Sequence, residues 1–309
     1  MEPTYNTTNL EFDNATAKHY FQQGGKLVFL NCPKDFEFGI DFSNWIVGPK
    51  FMGLKFIPPG IHFIYYSIVD KTGHTGIRNG FFHYFKKEQI IVKKWNEYNE
   101  EVYKDNELEP ELNDRIKYNI QSFDPNLGTY PITQSDVYKK WKQLTRYVSS
   151  ELIQKIAPND GLMDGFLPTE ENSNFEEFDG SLKFTKFDLK KSFPEGSFGS
   201  ELTKYSLDKS YLLMKLIENE YLDYKNILGE IELSFIVFLL GQNFIGLEQW
   251  KKLIVLISNS NEAINQSPNL FIHFLEILYF QLLECPQDFF HDIILENNFL
   301  GISLKVNII

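Results

Sequence analysis

Cysteine is scarce in this 309-residue sequence: Cys32 and Cys285, each followed by proline, are the two present. They leave no Cys-x-x-Cys motif and no disulfide framework, which fits a reducing compartment. Positive charge is also in short supply, with 30 Lys and Arg against 42 Asp and Glu, a net charge of −12 and a pI near 5.1. The summed field repels phosphate, and no Lys/Arg run longer than two residues offers a local exception. Direct nucleic-acid binding is therefore not expected. Long hydrophobic runs are missing as well: the longest, residues 235–240, falls far short of the ~20 residues of a membrane span. Residues 1–26 carry neither a basic n-region nor an apolar h-region, so no secretory signal is expected. The sequons at Asn6, Asn14 and Asn265 then read as chance matches. The expected location is the cytoplasm and nucleus.

Motifs of covalent chemistry are equally sparse. No Gly-x-Ser-x-Gly elbow and no His-Glu-x-x-His occurs, and none of the six histidines sits at His-x-His or His-x-x-x-His spacing. The nearest thing to a phosphate loop runs from Gly48 to Gly53, then Leu54 and Lys55. A phosphate loop needs lysine directly after the second glycine, and Leu54 occupies that place while Pro49 lacks an N–H. His62 and His83 are expected to pack within neighbouring strands rather than bind metal. His74 lies in a glycine-flanked loop with no recognisable partner, and Cys32 reads as a small buried hydrophobe. No catalytic, metal-binding or cofactor-binding residue is assigned, and no cofactor is expected.

What is present is the material of a full core: 43% hydrophobic residues, with 29 Phe and 16 Tyr. Phe, Tyr, Asn, Lys and Ile share A/T-rich codons, which accounts for the aromatic content without an aromatic binding surface. The first half reads as β structure. Short apolar segments over 26–31, 36–42, 45–47, 51–57, 61–69, 80–85 and 89–95 are separated by Cys32-Pro33, Gly48-Pro49, Pro58-Pro59-Gly60 and a glycine-containing loop over 70–79. The segment 61–69 is apolar on both parities, as in a strand buried on both faces. Such spacing predicts a sandwich or a small barrel. Acids crowd residues 97–114, a solvated stretch. Ile116, Ile120 and Phe123 mark a short helix, and Ser135 begins a helix expected to run to Ile156.

The second half reads as helical. Ser200 opens a helix carrying Leu202, Tyr205, Leu212, Leu213 and Leu216. Residues 226–240 are apolar on nearly all sides, the mark of a central helix. Amphipathic stripes follow at Leu247, Trp250, Leu253, Ile254 and Ile257, and at Leu270, Phe271, Phe274, Leu275, Leu278 and Leu282. Phe289, Phe290, Ile293 and Ile294 begin a last helix that breaks near Asn297-Asn298. The expected fold is α+β in two domains, an N-terminal β-sandwich or barrel-like domain and a C-terminal all-α bundle or superhelix. The boundaries read as a poorly defined segment 1–25, a β-rich domain 26–156 with a trailing helix, an acidic Gly/Ser-containing linker or long loop 157–199, and an all-α domain 200–309 with an extended tail.

Two features suit a protein partner. Residues 303–309 alternate apolar and polar, so Leu304, Val306 and Ile308 could supply one face of a strand added to a partner's sheet edge. The acidic stretch 97–114 could meet a basic surface. Ser173, Ser181, Ser192 and Ser197 look accessible to modification.

The N-terminal half also carries a long, specific resemblance. Its residues are Pro33, Glu37, Gly39 and Asp41, then Trp45, Gly48, Pro49, Lys50 and Phe51, then Pro58, Pro59, Gly60 and His62. In those fixed places they resemble the first domain of the AAR-two splicing factor family. Gly80-Phe81-Phe82, Tyr130-Pro131, Leu228-Gly229-Glu230, Trp250-Lys251 and Pro286 with Phe289-Phe290 extend the likeness over nearly the whole chain from Lys26. The resemblance implies a non-enzymatic pre-mRNA splicing factor, an assembly chaperone of the U5 small nuclear ribonucleoprotein. Its implied partner is the large scaffold protein Prp-eight, bound at the RNase-H-like and Jab/MPN domains so that the helicase Brr-two joins late. The shared Pro and Gly positions are read as structural rather than as contacts. A monomer is expected, with no membrane or nucleic-acid partner. The rival reading is a helical-domain adaptor in trafficking.

Overall fold

In the structure, a computed structural model, residues 23–70, 72–131, 135–165 and 181–285 are described. Chain contacts divide the protein into two units, Met1–His62 with Tyr84–Lys139 and Phe63–His83 with Lys140–Ile309.

The first unit is built around β1 (Gly25–Leu30), where every residue but the last is buried, Lys26 as well as the apolar Leu27, Val28 and Phe29. On one side it pairs antiparallel with β4 (Gly53–Ile57), on the other parallel with β7 (Ile90–Asn96). The two-residue strands β8 (Glu101–Val102) and β9 (Gly128–Thr129) complete the order β8-β7-β1-β4-β9. Gly53 is required where β4 meets β1: its φ is +127°, and a β-carbon there would lie 1.9 Å from the Leu27 carbonyl oxygen. Helix α1 (Pro110–Tyr118) places Ile116 against Val28 and Val92, and Ile120 and Phe123 at the ends of α2 (Ile120–Phe123) join the same cluster. The acids of residues 97–114 are all exposed, as expected of a solvated stretch. One of them is also bonded inward, since the Asp105 carboxylate accepts from the buried Lys93 ammonium at 2.6 Å.

A second sheet has the order β10-β6-β5-β2-β3, and the chain passes between the two units within β5 (Gly60–Ile68) and β6 (Asn79–Phe85). Strands β2 (Phe36–Ile40) and β3 (Ser43–Ile46) form a tight hairpin turned at Asp41, whose φ is +52°. Strand β5 is buried continuously from Ile61 to Ser67, which is the both-faces pattern expected from its sequence. The barrel expectation is not met among the described residues. Both sheets are open, because closure needs edge strands long enough to pair, and β8, β9 and β10 (Leu162–Met163) are two residues each.

The second unit is mainly helical, with the β5–β6 hairpin tied into it. Arg78 donates to the Leu240 carbonyl at 2.9 Å, the Phe82 N–H donates to the Gly161 carbonyl, and β10 pairs antiparallel with β6. The helix expected over 135–156 is two, α3 (Ser135–Leu144) and α4 (Ser150–Ile156). Between them the Arg146 and Tyr147 N–H groups donate to the Glu232 carboxylate, and Ser149 caps α4 by accepting from the Leu152 N–H at 3.2 Å. The helix expected from Ser200 is likewise two, α5 (Ser200–Leu207) and α6 (Ser210–Leu216). There the Lys209 N–H turns to the Asn259 carbonyl, and the Asp208 carboxylate accepts from the Ser210 and Glu262 N–H groups. In both places tertiary hydrogen bonds replace the next helical turn.

Helix α7 (Tyr224–Leu239) is buried from Ile227 through Val237, the central helix that its all-round apolarity predicts. Asn243 then caps α8 (Phe244–Ser258), and α9 (Ala263–Gln266) leads into α10 (Pro268–Glu284). These helices form a packed α-helical region in which no clear superhelix is evident among the described residues. No helix among the described residues is long and apolar enough to cross a membrane. The last expected helix, at Phe289 to Ile294, lies outside the described residues.

Candidate protein-interaction site

The shared N-terminal motif separates into a sealed interior and an exposed turn. Asp41 and His62 are 0% and 1% exposed. His62 Nδ1 lies 2.7 Å from Asp41 Oδ2, its Nε2 lies 2.8 Å from the Pro58 carbonyl oxygen, and the Tyr130 hydroxyl donates to the same Asp41 oxygen at 2.8 Å. A peptide carbonyl only accepts, so Nε2 carries a hydrogen and donates it. Burial first, and then the Asp41 charge, pushes the Tyr130 phenol far above its ordinary pKa, so it remains a donor. An acid, an imidazole and a hydroxyl in a row have the makings of a proton relay. Here they are closed off from substrate, and they pin the β2–β3 turn, the Pro58-Pro59-Gly60 turn and the chain after β9 together.

Glu37 and Gly39 are also buried, and the Glu37 carboxylate accepts from Asn44 across the hairpin at 2.8 Å. Trp45 and Phe51 pack on the Phe38 ring, at centroid distances of 6.2 and 4.9 Å, and Pro33 is half-buried. Gly48, Pro49 and Lys50 instead stand exposed in a turn closed by the Phe51 N–H donating to the Gly48 carbonyl. Pro59 is exposed too, and Gly60 is half-buried.

In the helical unit, two buried carboxylates on α7 hold neighbouring backbone in a way that sequence patterning does not foresee. Glu230 accepts from the Thr185 N–H and hydroxyl and from Gln249, which holds part of the 157–199 stretch against the helix. Glu232 accepts from the Arg146 and Tyr147 N–H groups at 3.2 and 2.6 Å. Desolvation outweighs those hydrogen bonds and pushes its pKa up to about 8. The available signal was two acids, Glu230 and Glu232, inside an otherwise apolar helix. Nearby, a groove of about 730 Å³ runs between Lys142, Arg146 and Tyr147 on one side and Ile272, Leu275 and Tyr279 of α10 on the other.

The remaining reactive residues are committed or inert. Lys55, of the phosphate-loop look-alike, sits in β4 and pairs with the Asp124 carboxylate at 2.6 Å. His74 lies in an exposed turn, where the Asp70 carboxylate accepts from Thr72 and from the His74 N–H; the Thr72 bond is the main reason its pKa is lowered. Burial pushes the Cys32 and Cys285 thiols up to about 12, so neither is a thiolate at neutral pH. Ser192 is a correction: it is fully buried, donating to the Tyr205 carbonyl and accepting from Lys209. Leu304, Val306, Ile308 and Ser173 lie outside the described residues. Among the described residues, no group of three or more His, Cys, Asp or Glu side chains is placed to hold a metal ion.

A sealed polar core beneath an exposed turn, together with a helical unit that keeps an apolar groove open, defines a protein that acts through its surfaces. The chain belongs to the AAR2 family: the AAR2 N-terminal domain matches residues 23–158 and the AAR2 C-terminal repeat region matches residues 184–306. Its relatives include the AAR2 homologs of Homo sapiens, 34% identical over 96% of this chain and 85% of the relative, and of Caenorhabditis elegans, 34% identical over 93% and 87%. The Mus musculus homolog is also 34% identical, over 97% and 86%. The family is non-catalytic, and membership supports a splicing-related chaperone role exerted through protein contacts.

Proposed function

We propose that this chain is an assembly chaperone of the U5 small nuclear ribonucleoprotein. It binds the large scaffold protein Prp-eight at its RNase-H-like and Jab/MPN domains, and it keeps the helicase Brr-two away until a late, nuclear step. It works in both cytoplasm and nucleus. The observation that carries this reading is the family match over both the N-terminal domain and the C-terminal region. Two domains that each hold one partner domain gain from effective concentration, since the second contact is intramolecular. Together they can also supply the roughly 1,200–2,000 Å² that a stable interface buries. Leu304, Val306 and Ile308 would add a strand to the partner's sheet edge.

The test is a pull-down of the tagged full chain from cell extract, with mass spectrometry of the bound proteins. Recovery of the large U5 scaffold without the helicase is the expected result. Absence of every U5 component, with the protein folded, would overturn the reading. Deleting residues 303–309 examines the tail separately; partner affinity that stays unchanged in a folded chain would remove the strand from the account.

A further inference from the structure

Strand β3 ends the second sheet, and among the described residues no strand pairs on its far side. The other three sheet edges, β8, β9 and β10, are two residues long, so the four residues of β3 make the longest open edge of the described chain. Its register decides which backbone groups are open. In an antiparallel ladder, alternate residues of a strand turn both N–H and C=O toward the same neighbour. The Val47 N–H donates to the Phe36 carbonyl at 3.0 Å, and the Val47 carbonyl accepts from the Asp35 N–H, so Val47 faces the β2 side. Trp45 and Ser43, opposite Phe38 and Ile40, face it as well. Asn44 and Ile46 therefore aim their N–H and C=O groups at the open edge. No hydrogen bond among the described residues occupies those backbone groups.

The edge is also held in its strand conformation. The turn before it is pinned at Asp41, whose carboxylate holds His62 and Tyr130. Trp45 packs on Phe38, and the Asn44 side chain donates to Glu37. A template already ordered accepts a further strand with little ordering cost of its own. The chemistry around it differs from that of the chain as a whole. Ile46 is 54% exposed. At the Val47 end of the strand, Lys34 and Lys50 stand exposed, and neither is paired among the described residues. Asp35 is the one acid in the same two turns. On a chain of net charge −12, this leaves a locally basic end beside an open edge. Such an end favours a segment that brings a carboxylate.

We propose that the β3 edge takes an extended segment of a protein partner as a sixth strand of its sheet. The segment bonds to the backbone of Asn44 and Ile46, sets an apolar side chain against Ile46 and brings a carboxylate to Lys34 and Lys50. The partner is the scaffold protein of the proposed function, and the inference rests on that reading. It is the converse of the tail: here the partner supplies the strand and this chain supplies the edge.

The test titrates the purified scaffold protein with the full wild-type chain and with Ile46→Pro. Proline removes the outward Ile46 N–H and spares the bonds between β2 and β3, the position at which an edge strand tolerates it. The expected result is an unchanged urea midpoint and a scaffold affinity at least about tenfold weaker. A folded Ile46→Pro chain that binds as the wild type does overturns the proposal and leaves the chaperone reading intact. A wild-type chain that does not bind the scaffold overturns that reading, and this inference with it. An independent readout is amide hydrogen exchange at Asn44 and Ile46 in the wild type. Both are expected to exchange rapidly in the free chain and at least about tenfold more slowly in the complex. Protection already present in the free chain, or absent from the complex, overturns the proposal even if Ile46→Pro fails to fold.

Discussion

At the scale of single residues, burial decides what each polar group can do. Asp41 holds both His62 and Tyr130 through its carboxylate, and His62 reaches on to the Pro58 carbonyl, so the group acts as an internal brace. Asp41→Ala leaves a buried imidazole and a buried phenol without their acceptor. It is expected to lower stability by about 3–5 kcal/mol, measured by urea unfolding, whereas Tyr130→Phe, which removes one donor, costs about 1–3 kcal/mol. Glu232 makes the complementary case. Its folded pKa is raised from 4.5 to about 8, so the folded state holds a proton that the unfolded state has released. The associated stability is complete below the unfolded value and is lost as pH rises toward about 8. Burial raises the pKa of Glu230 in the same direction. Unfolding midpoints at pH 5.5 and pH 8 should therefore fall more for the wild type than for Glu232→Gln; parallel curves would show that Glu232 ionises freely in the folded chain.

At the scale of elements, helices in this chain stop where another element offers the backbone a better partner. The apolar spacing over 135–156 is helical throughout, yet the residues between α3 and α4 give their N–H groups to Glu232. Gly229 makes that approach possible, because a β-carbon there would lie 2.4 Å from the Tyr147 carbonyl oxygen. Gly229→Ala is expected to cost about 1–3 kcal/mol through overpacking against a backbone atom that cannot swing aside. Ser149→Ala should cost about 1 kcal/mol by uncapping α4. Circular dichroism at a thermal midpoint separates the two, since the cap variant loses less. Sequence patterning located these elements well but not their ends, because the competing acceptors are far away in sequence.

At the scale of the whole molecule, charge sets the class of partner. With a net charge of −12, the chain suits a partner with a basic surface, as proposed for the scaffold protein. Affinity for the proposed scaffold partner is therefore expected to weaken as salt rises from about 50 to 300 mM, where the Debye length shortens from roughly 14 to 6 Å. Titration by calorimetry across that range checks it, and a flat response would assign the interface to apolar contact instead.

Local patterning was enough to place the longer strands and helices, though not the two-residue strands β8, β9 and β10, and to give the buried character of β5 and α7 and the family. Each of those is written in apolar periodicity, turn residues or a fixed block of Pro, Gly and Trp. It took the folded chain to show that β1 pairs parallel with β7, that the sheets stay open, and that His62 belongs to Asp41 and Tyr130. The burial of Ser192 and the outward face of Leu275 were likewise beyond the reach of pattern. One cause underlies the division. A side chain's period records how much water it must shed, whereas which partner it meets depends on contacts between segments far apart in sequence, 89 residues for Asp41 and Tyr130 and 162 for Arg78 and Leu240.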